Sequence, residues 1–138
     1  MGIAALVTWL ATAVIGFTML GLWVARGGLR AVGEGGDAKP TSRFPRGLVF
    51  GHFLLAAAGL VVWIVYLAAG LGALAWLAFG LLLVVAILGD VLFVRWYKGR
   101  GLRTIESGLP KALVYAHGLL AVTTVILVLL TALGVAAR

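Results

Sequence analysis

Residues 47–89 read GLVFGHFLLAAAGLVVWIVYLAAGLGALAWLAFGLLLVVAILG, without one Lys, Arg, Asp or Glu. A helix rises about 1.5 Å per residue and crosses a hydrocarbon core in about 20 residues. The stretch is therefore two spans, joined at Ala69-Gly70-Leu71-Gly72. Outward on either side, residues 2–25 and 112–137 are equally free of charge, and each is long enough for one more span. Four transmembrane helices are expected, at about 3–25, 47–69, 72–94 and 111–135, forming a single transmembrane domain over 1–138. The fold class is all-α, an integral membrane four-helix bundle. Composition agrees: 64% of residues are hydrophobic and 11% charged, where a soluble domain carries roughly 25% charged residues. The first span is longer than the apolar region of a signal peptide and has no Lys or Arg before it. It is expected to stay in the bundle.

The net charge of +7 is unevenly placed. Arg26, Arg30, Lys39, Arg43 and Arg46 gather between the first two spans, and Arg95, Lys98, Arg100, Arg103 and Lys111 between the last two. The middle turn has none. By the positive-inside rule both basic loops lie in the cytoplasm of a bacterial-type plasma membrane, with both termini outside. Topology and anionic lipid headgroups account for this charge, so nucleic acid is not expected as a partner. The first loop contains Gly33-Glu34-Gly35-Gly36 but not the Gly-Lys-Ser/Thr ending of a phosphate loop. It reads as a flexible connector. With no cysteine, thiol, disulfide and iron–sulfur chemistry are excluded for this chain. Trp9, Trp23, Trp63, Trp76 and Trp96 fall near the expected boundaries and read as an interfacial aromatic belt.

The chain repeats itself. Pro45-Arg46-Gly47-Leu48-Val49-Phe50-Gly51-His52 returns 65 residues later as Pro110-Lys111-Ala112-Leu113-Val114-Tyr115-Ala116-His117. Each copy opens a span, and each ends on one of the chain's two histidines. The repeat extends more weakly to the first and third helices, giving two helical hairpins related by an approximate two-fold axis along the membrane normal. Helices 2 and 4 then run in the same direction. His52 and His117 lie at equal depth, about 9 Å inside the basic boundary at 1.5 Å per residue.

An ionisable residue inside a span is costly unless it faces protein, and is by default a functional candidate. Two imidazoles at one depth are suited to the iron of a b-type haem, one axial ligand from each side; bundle cores hold such cofactors between facing helices. Ala56 and Gly59 after His52, and Ala121 and Thr124 after His117, are expected to leave room for the macrocycle. Arg43, Arg46 and Lys111 are placed to meet haem propionates, and Phe50 and Tyr115 to flank the ring. In this architecture and histidine placement the chain resembles the cytochrome b561-like membrane cytochromes. The resemblance implies a four-helix core with haem held by histidines on alternate helices, here His52 and His117. Two-haem members carry a second pair toward the opposite face, and this chain has no further histidine. Transmembrane electron transfer by this chain alone is therefore not expected.

Asp90 lies five residues before Arg95, near the depth of the histidines. Three roles are open to it: a pair with a nearby cation, Arg26 being one choice, a carboxylate orienting an axial imidazole, or a third ligand in a two-His, one-carboxylate divalent-metal site. Plainer readings stand beside the functional ones. Small residues also serve close helix packing, prolines suit helix starts, and Met19 is an apolar contact before it is a ligand. The leading expectation is a bis-histidine b-haem protein exchanging electrons with a quinone or partner protein, or carrying or sensing haem. The rivals are a cofactor-free accessory or scaffold subunit of a larger membrane complex and a small metal-binding or transport protein using His52, His117 and Asp90. Assembly as a homo-oligomer or within a larger complex is compatible with each. No nucleophile or acid–base pair is legible, so independent catalysis is not expected.

Overall fold

The computed structural model of the chain describes residues 1–29 and 40–135. The glycine-rich stretch Gly33–Gly36 of the first connector lies outside them. The described residues form four long helices: α1 (Gly2–Ala25), α2 (Arg46–Ala69), α3 (Gly72–Gly99) and α4 (Lys111–Ala132). All four are long and apolar enough to cross a membrane. α3 continues five residues past its expected end at 94, carrying Arg95 and Lys98 on a helix rather than in a loop. None of the helix starts is held by a side-chain cap. Continuous apolar composition in lipid, not capping, sustains them.

The turn between α2 and α3 needs only two residues because Gly70 takes φ +70° and donates its amide to the Tyr66 carbonyl at 2.8 Å. A side chain at that left-handed position would be strained. The helices therefore run up and down, with both basic loops at one end (the basic end) and the termini at the other. α2 packs most extensively on α3, and α1 on α4; contact within each repeated hairpin, α1 with α2 and α3 with α4, is slighter. The two hairpins thus lie against each other along both helices, and the contact between them is larger than the contact within either. Large apolar side chains cover the outside, among them Val14, Leu54, Val61, Ile87 and Leu119, each 60% exposed or more. A helix apolar on every side belongs in lipid, and the chain is an integral membrane protein.

Two apolar clusters fill the interior. Near the termini, Trp9 and Trp63 pack among Ala5, Ala75, Ala78, Leu82 and Val128. The alanines let the backbones approach closely. At the basic end, Trp23 and Trp96 pack with Phe44, Ile105 and Leu109. The aromatic belt expected from sequence is corrected here. Trp9, Trp23, Trp63 and Trp96 are all buried, and only Trp76 is turned outward. Trp9 fills the space beside Gly59, and Trp23 lies over Gly28.

The basic end is tied together by the two connectors. The Ile105 amide donates to the Thr41 carbonyl at 3.0 Å, where Thr41 and Thr104 form a parallel bridge. Glu106, 1% exposed, opens a 3-10 turn (Glu106–Gly108). Its carboxylate accepts from Trp23 Nε1 at 3.0 Å, Ser42 Oγ at 2.6 Å, the Arg43 amide at 3.1 and 3.2 Å, and the Phe44 amide at 3.3 Å. So the end of the first connector is built into the protein, where a flexible connector was expected. Gly28 closes α1 beneath this cluster: a Cβ there would lie 2.2 Å from the Trp23 ring, which is fixed by burial and by Glu106. Gly28→Ala is expected to lower the thermal midpoint in detergent, at an overpacking cost of about 1–3 kcal/mol. Gly21→Ala, whose Cβ meets nothing within 4 Å, should not.

Candidate functional site

His52 on α2 and His117 on α4 meet inside the bundle, their ring centroids 6.3 Å apart and the planes inclined by 56°. Both are half-buried. Each is oriented by the helix it packs against. His52 Nδ1 lies 2.9 Å from the Val85 carbonyl of α3, and His117 Nδ1 lies 3.0 Å from the Thr12 carbonyl of α1. A carbonyl only accepts, so in each ring Nδ1 carries the proton and donates. Nε2 is left as the nitrogen with a free lone pair. That is the state in which imidazole ligates a metal, with its other N–H held by an outer partner.

Glycines make this orientation possible. A Cβ on Gly89 would stand 3.1 Å from His52 Cε1, and one on Gly16 would stand 3.0 Å from His117 Cε1. The two halves of the site therefore match member for member: His52, Val85 and Gly89 against His117, Thr12 and Gly16. The histidines are offset by 65 residues, the carbonyls and glycines by 73. Trp23 and Trp96, Trp9 and Leu82, and Ala5 and Ala78 share the second offset, and all six are buried. The first connector is longer by eight residues, so a single offset does not align both halves. Gly16 and Gly89 were missed for that reason; a second offset for helices 1 and 3 is the signal that finds them.

Several expected members are not at the pair. Gly59 is buried, but a Cβ there would lie 3.1 Å from the Trp9 indole and 3.6 Å from Leu81. Trp9 fills the space expected to be open. Thr124 is buried in the same layer, its hydroxyl 2.8 Å from the Leu120 carbonyl and 3.0 Å from the Thr8 hydroxyl. Both residues stand seven positions, about 10 Å, beyond the histidines, and belong to the packed core. Ala56 and Ala121, one turn from the histidines, remain half-buried. Phe50 is turned outward, and Tyr115 packs edge-on against Trp96 and Phe93 instead of flanking the imidazoles.

The charged residues are also redistributed. Arg46 is exposed and donates to the Leu29 carbonyl at 3.2 Å, and Lys111 is exposed at the start of α4. Arg43 lies along Gly99. Asp90 does not stand at the histidines, either as a ligand or as an orienting carboxylate, and Arg26 is not its neighbour. It is exposed on α3, in a groove shared with Arg43, Val91, Val94, Arg95 and Lys98. Arg26 donates instead to the Gly108 carbonyl at 2.6 Å, and main-chain carbonyls hold both imidazoles. Among the described residues no group of three or more His, Asp or Glu gathers to hold a metal ion. The reason is helical phase: Gly89 faces inward, so Asp90, about 100° further round, cannot.

No family model matches this chain, and neither a curated protein nor a solved structure does.

Proposed function

We propose that the protein is a membrane b-type haem protein whose single iron is ligated axially by His52 and His117. The observation that carries this reading is the matched pair itself, with 6.3 Å between ring centroids and each Nδ1 bonded to a carbonyl of a neighbouring helix. His52 and His117 would hold the iron through Nε2, since Nδ1 of each ring is engaged by a main-chain carbonyl. Among the described residues no third His, Asp or Glu joins the pair. Two imidazoles without a carboxylate would suit a haem iron.

Bound haem supplies reversible one-electron exchange, its potential set by axial ligands and surroundings. The chain's own contribution is to fix two neutral imidazoles at one depth and to cover them with apolar side chains. By the positive-inside rule the basic loops face the cytoplasm and the termini lie outside, so the pair stands near the cytoplasmic surface. Electron exchange there, with a quinone in the bilayer or a protein at the surface, suits one haem better than transfer across the whole membrane.

The visible spectrum of the protein purified in detergent with added haem tests the reading. The expected result is a low-spin b-type spectrum with sharp bands on reduction. His52→Ala and His117→Ala should each lose it, because one remaining imidazole leaves iron five-coordinate or weakly held. A wild-type protein that stays colourless, or single variants that keep the six-coordinate spectrum, would overturn it.

A further inference from the structure

Trp96 is 2% exposed, and its Nε1 is a buried donor with no hydrogen-bond partner among the described residues. Such groups are uncommon and costly. Its counterpart in the other half of the repeat, Trp23, is just as buried but donates to the Glu106 carboxylate at 3.0 Å. The connectors show where that difference arises. Thr41-Ser42-Arg43-Phe44-Pro45 aligns with Glu106-Ser107-Gly108-Leu109-Pro110 at the 65-residue offset, so Thr41 stands where the carboxylate would be. One indole of the repeat therefore binds a carboxylate from its own chain, and the other is built alike without one.

The position of Trp96 says which carboxylate it awaits. Gly89 marks the level of His52 on α3, and Trp96 is seven residues further toward the basic end, about 10 Å. Between them lie Leu92 and Met19, with Val49 and Val114 preceding the two histidines by three residues, all packed on the Trp96 cluster. A flat acidic ligand centred on the histidine pair, with its acid arms toward the basic end, brings a carboxylate to this depth. Arg100 stacks over the Trp96 and Tyr97 rings, 5.4 and 3.7 Å from their centres, and adds positive charge on the same side.

We infer that Trp96 Nε1 is the donor to a propionate carboxylate of the porphyrin held by His52 and His117. The inference rests on the haem reading and assigns the orientation of the ligand, propionates toward the basic end. Trp96 is a positioning residue, replacing the arginines and lysine that the sequence alone suggested.

The test compares haem b with haem dimethyl ester, whose propionates carry no charge, on the whole protein in lipid nanodiscs. Wild type should release the ester about tenfold faster or more than haem b, the worth of one hydrogen bond to a charged group. Trp96→Phe should keep the six-coordinate spectrum with haem b while this ratio falls toward one. Trp23→Phe, whose indole is already engaged by Glu106, should keep the wild-type ratio. Equal release of both ligands from wild type overturns the inference without the aid of any variant, as does a wild-type ratio in Trp96→Phe. Either result leaves the histidine ligation standing, whereas failure of wild type to bind haem at all removes both.

Discussion

Glu106→Ala is expected to open the basic end of the protein and to cost several kcal/mol of stability. The carboxylate joins the second connector to both the first connector and α1. Without it Trp23 Nε1 and the Arg43 amide lose their partner, and Ser42 and the Phe44 amide keep only each other. Each buried donor left unsatisfied costs about 1–3 kcal/mol. The loss is sharpened by position: Phe44, Trp23 and Ile105 pack as one cluster, so freeing the chain at 42–44 also uncovers apolar surface. Glu106→Gln should be milder but not neutral. Its amide oxygen still accepts from Trp23 and Ser42, while its NH2 faces the Arg43 N–H, a donor against a donor. Limited trypsin digestion in nanodiscs, followed at Arg43 and Arg46, is the measurement, with the thermal midpoint beside it. Cleavage rates for Glu106→Ala equal to wild type would mean that the buried carboxylate does not hold the connectors.

The second large effect falls on the glycines behind the histidines. Gly16→Val and Gly89→Val should each abolish the haem retention proposed for the His52–His117 pair while leaving an assembled, membrane-inserted bundle. A Cβ alone would stand 3.0–3.1 Å from the imidazole Cε1; the added methyl groups of valine reach further. The ring must then swing off its carbonyl, and the matched pair is lost. The helix survives because valine is well tolerated inside a lipid-facing helix. Gly118→Val is the control: it adjoins His117 in sequence, but a Cβ there meets nothing within 4 Å. Reduced-minus-oxidised spectra at equal protein concentration should show at least a tenfold loss for the first two and none for the third. Wild-type haem content in Gly16→Val or Gly89→Val would show that the imidazoles are not held as a preset pair.

Much of the candidate site was legible because the repeat is. His52 and His117 share a motif, a helix start and a depth, and parallel helices of equal phase must bring equivalent residues to the same face. What failed was inference from spacing to empty space. Gly59 looked like room for a ligand, yet a small side chain only states that something large comes near, and that something is Trp9. Asp90 failed for a related reason: proximity in depth says nothing about which way a helix is turned. The orienting carbonyls of Thr12 and Val85 had no signature at all, since every residue carries a main-chain carbonyl. Glu106 was passed over because an acidic residue in a basic loop reads as solvated; only the fold reveals that it is enclosed.

The order of charge-free stretches, their lengths and the glycines at the middle turn were enough to establish four membrane helices, alternating in direction, with both basic connectors at one end. These are local properties, set by the transfer of apolar side chains into lipid and by what two residues can bridge. The partners of each helix were decided only in three dimensions. Sequence grouped α1 with α2 and α3 with α4, while the structure packs α2 on α3 and α1 on α4. In lipid, apolar surface does not favour one neighbour over another, so fit decides: alanines and glycines admit indoles and imidazoles where their shapes agree. That same contact between hairpins hands each histidine a carbonyl from the opposite hairpin, which no reading of one hairpin contains.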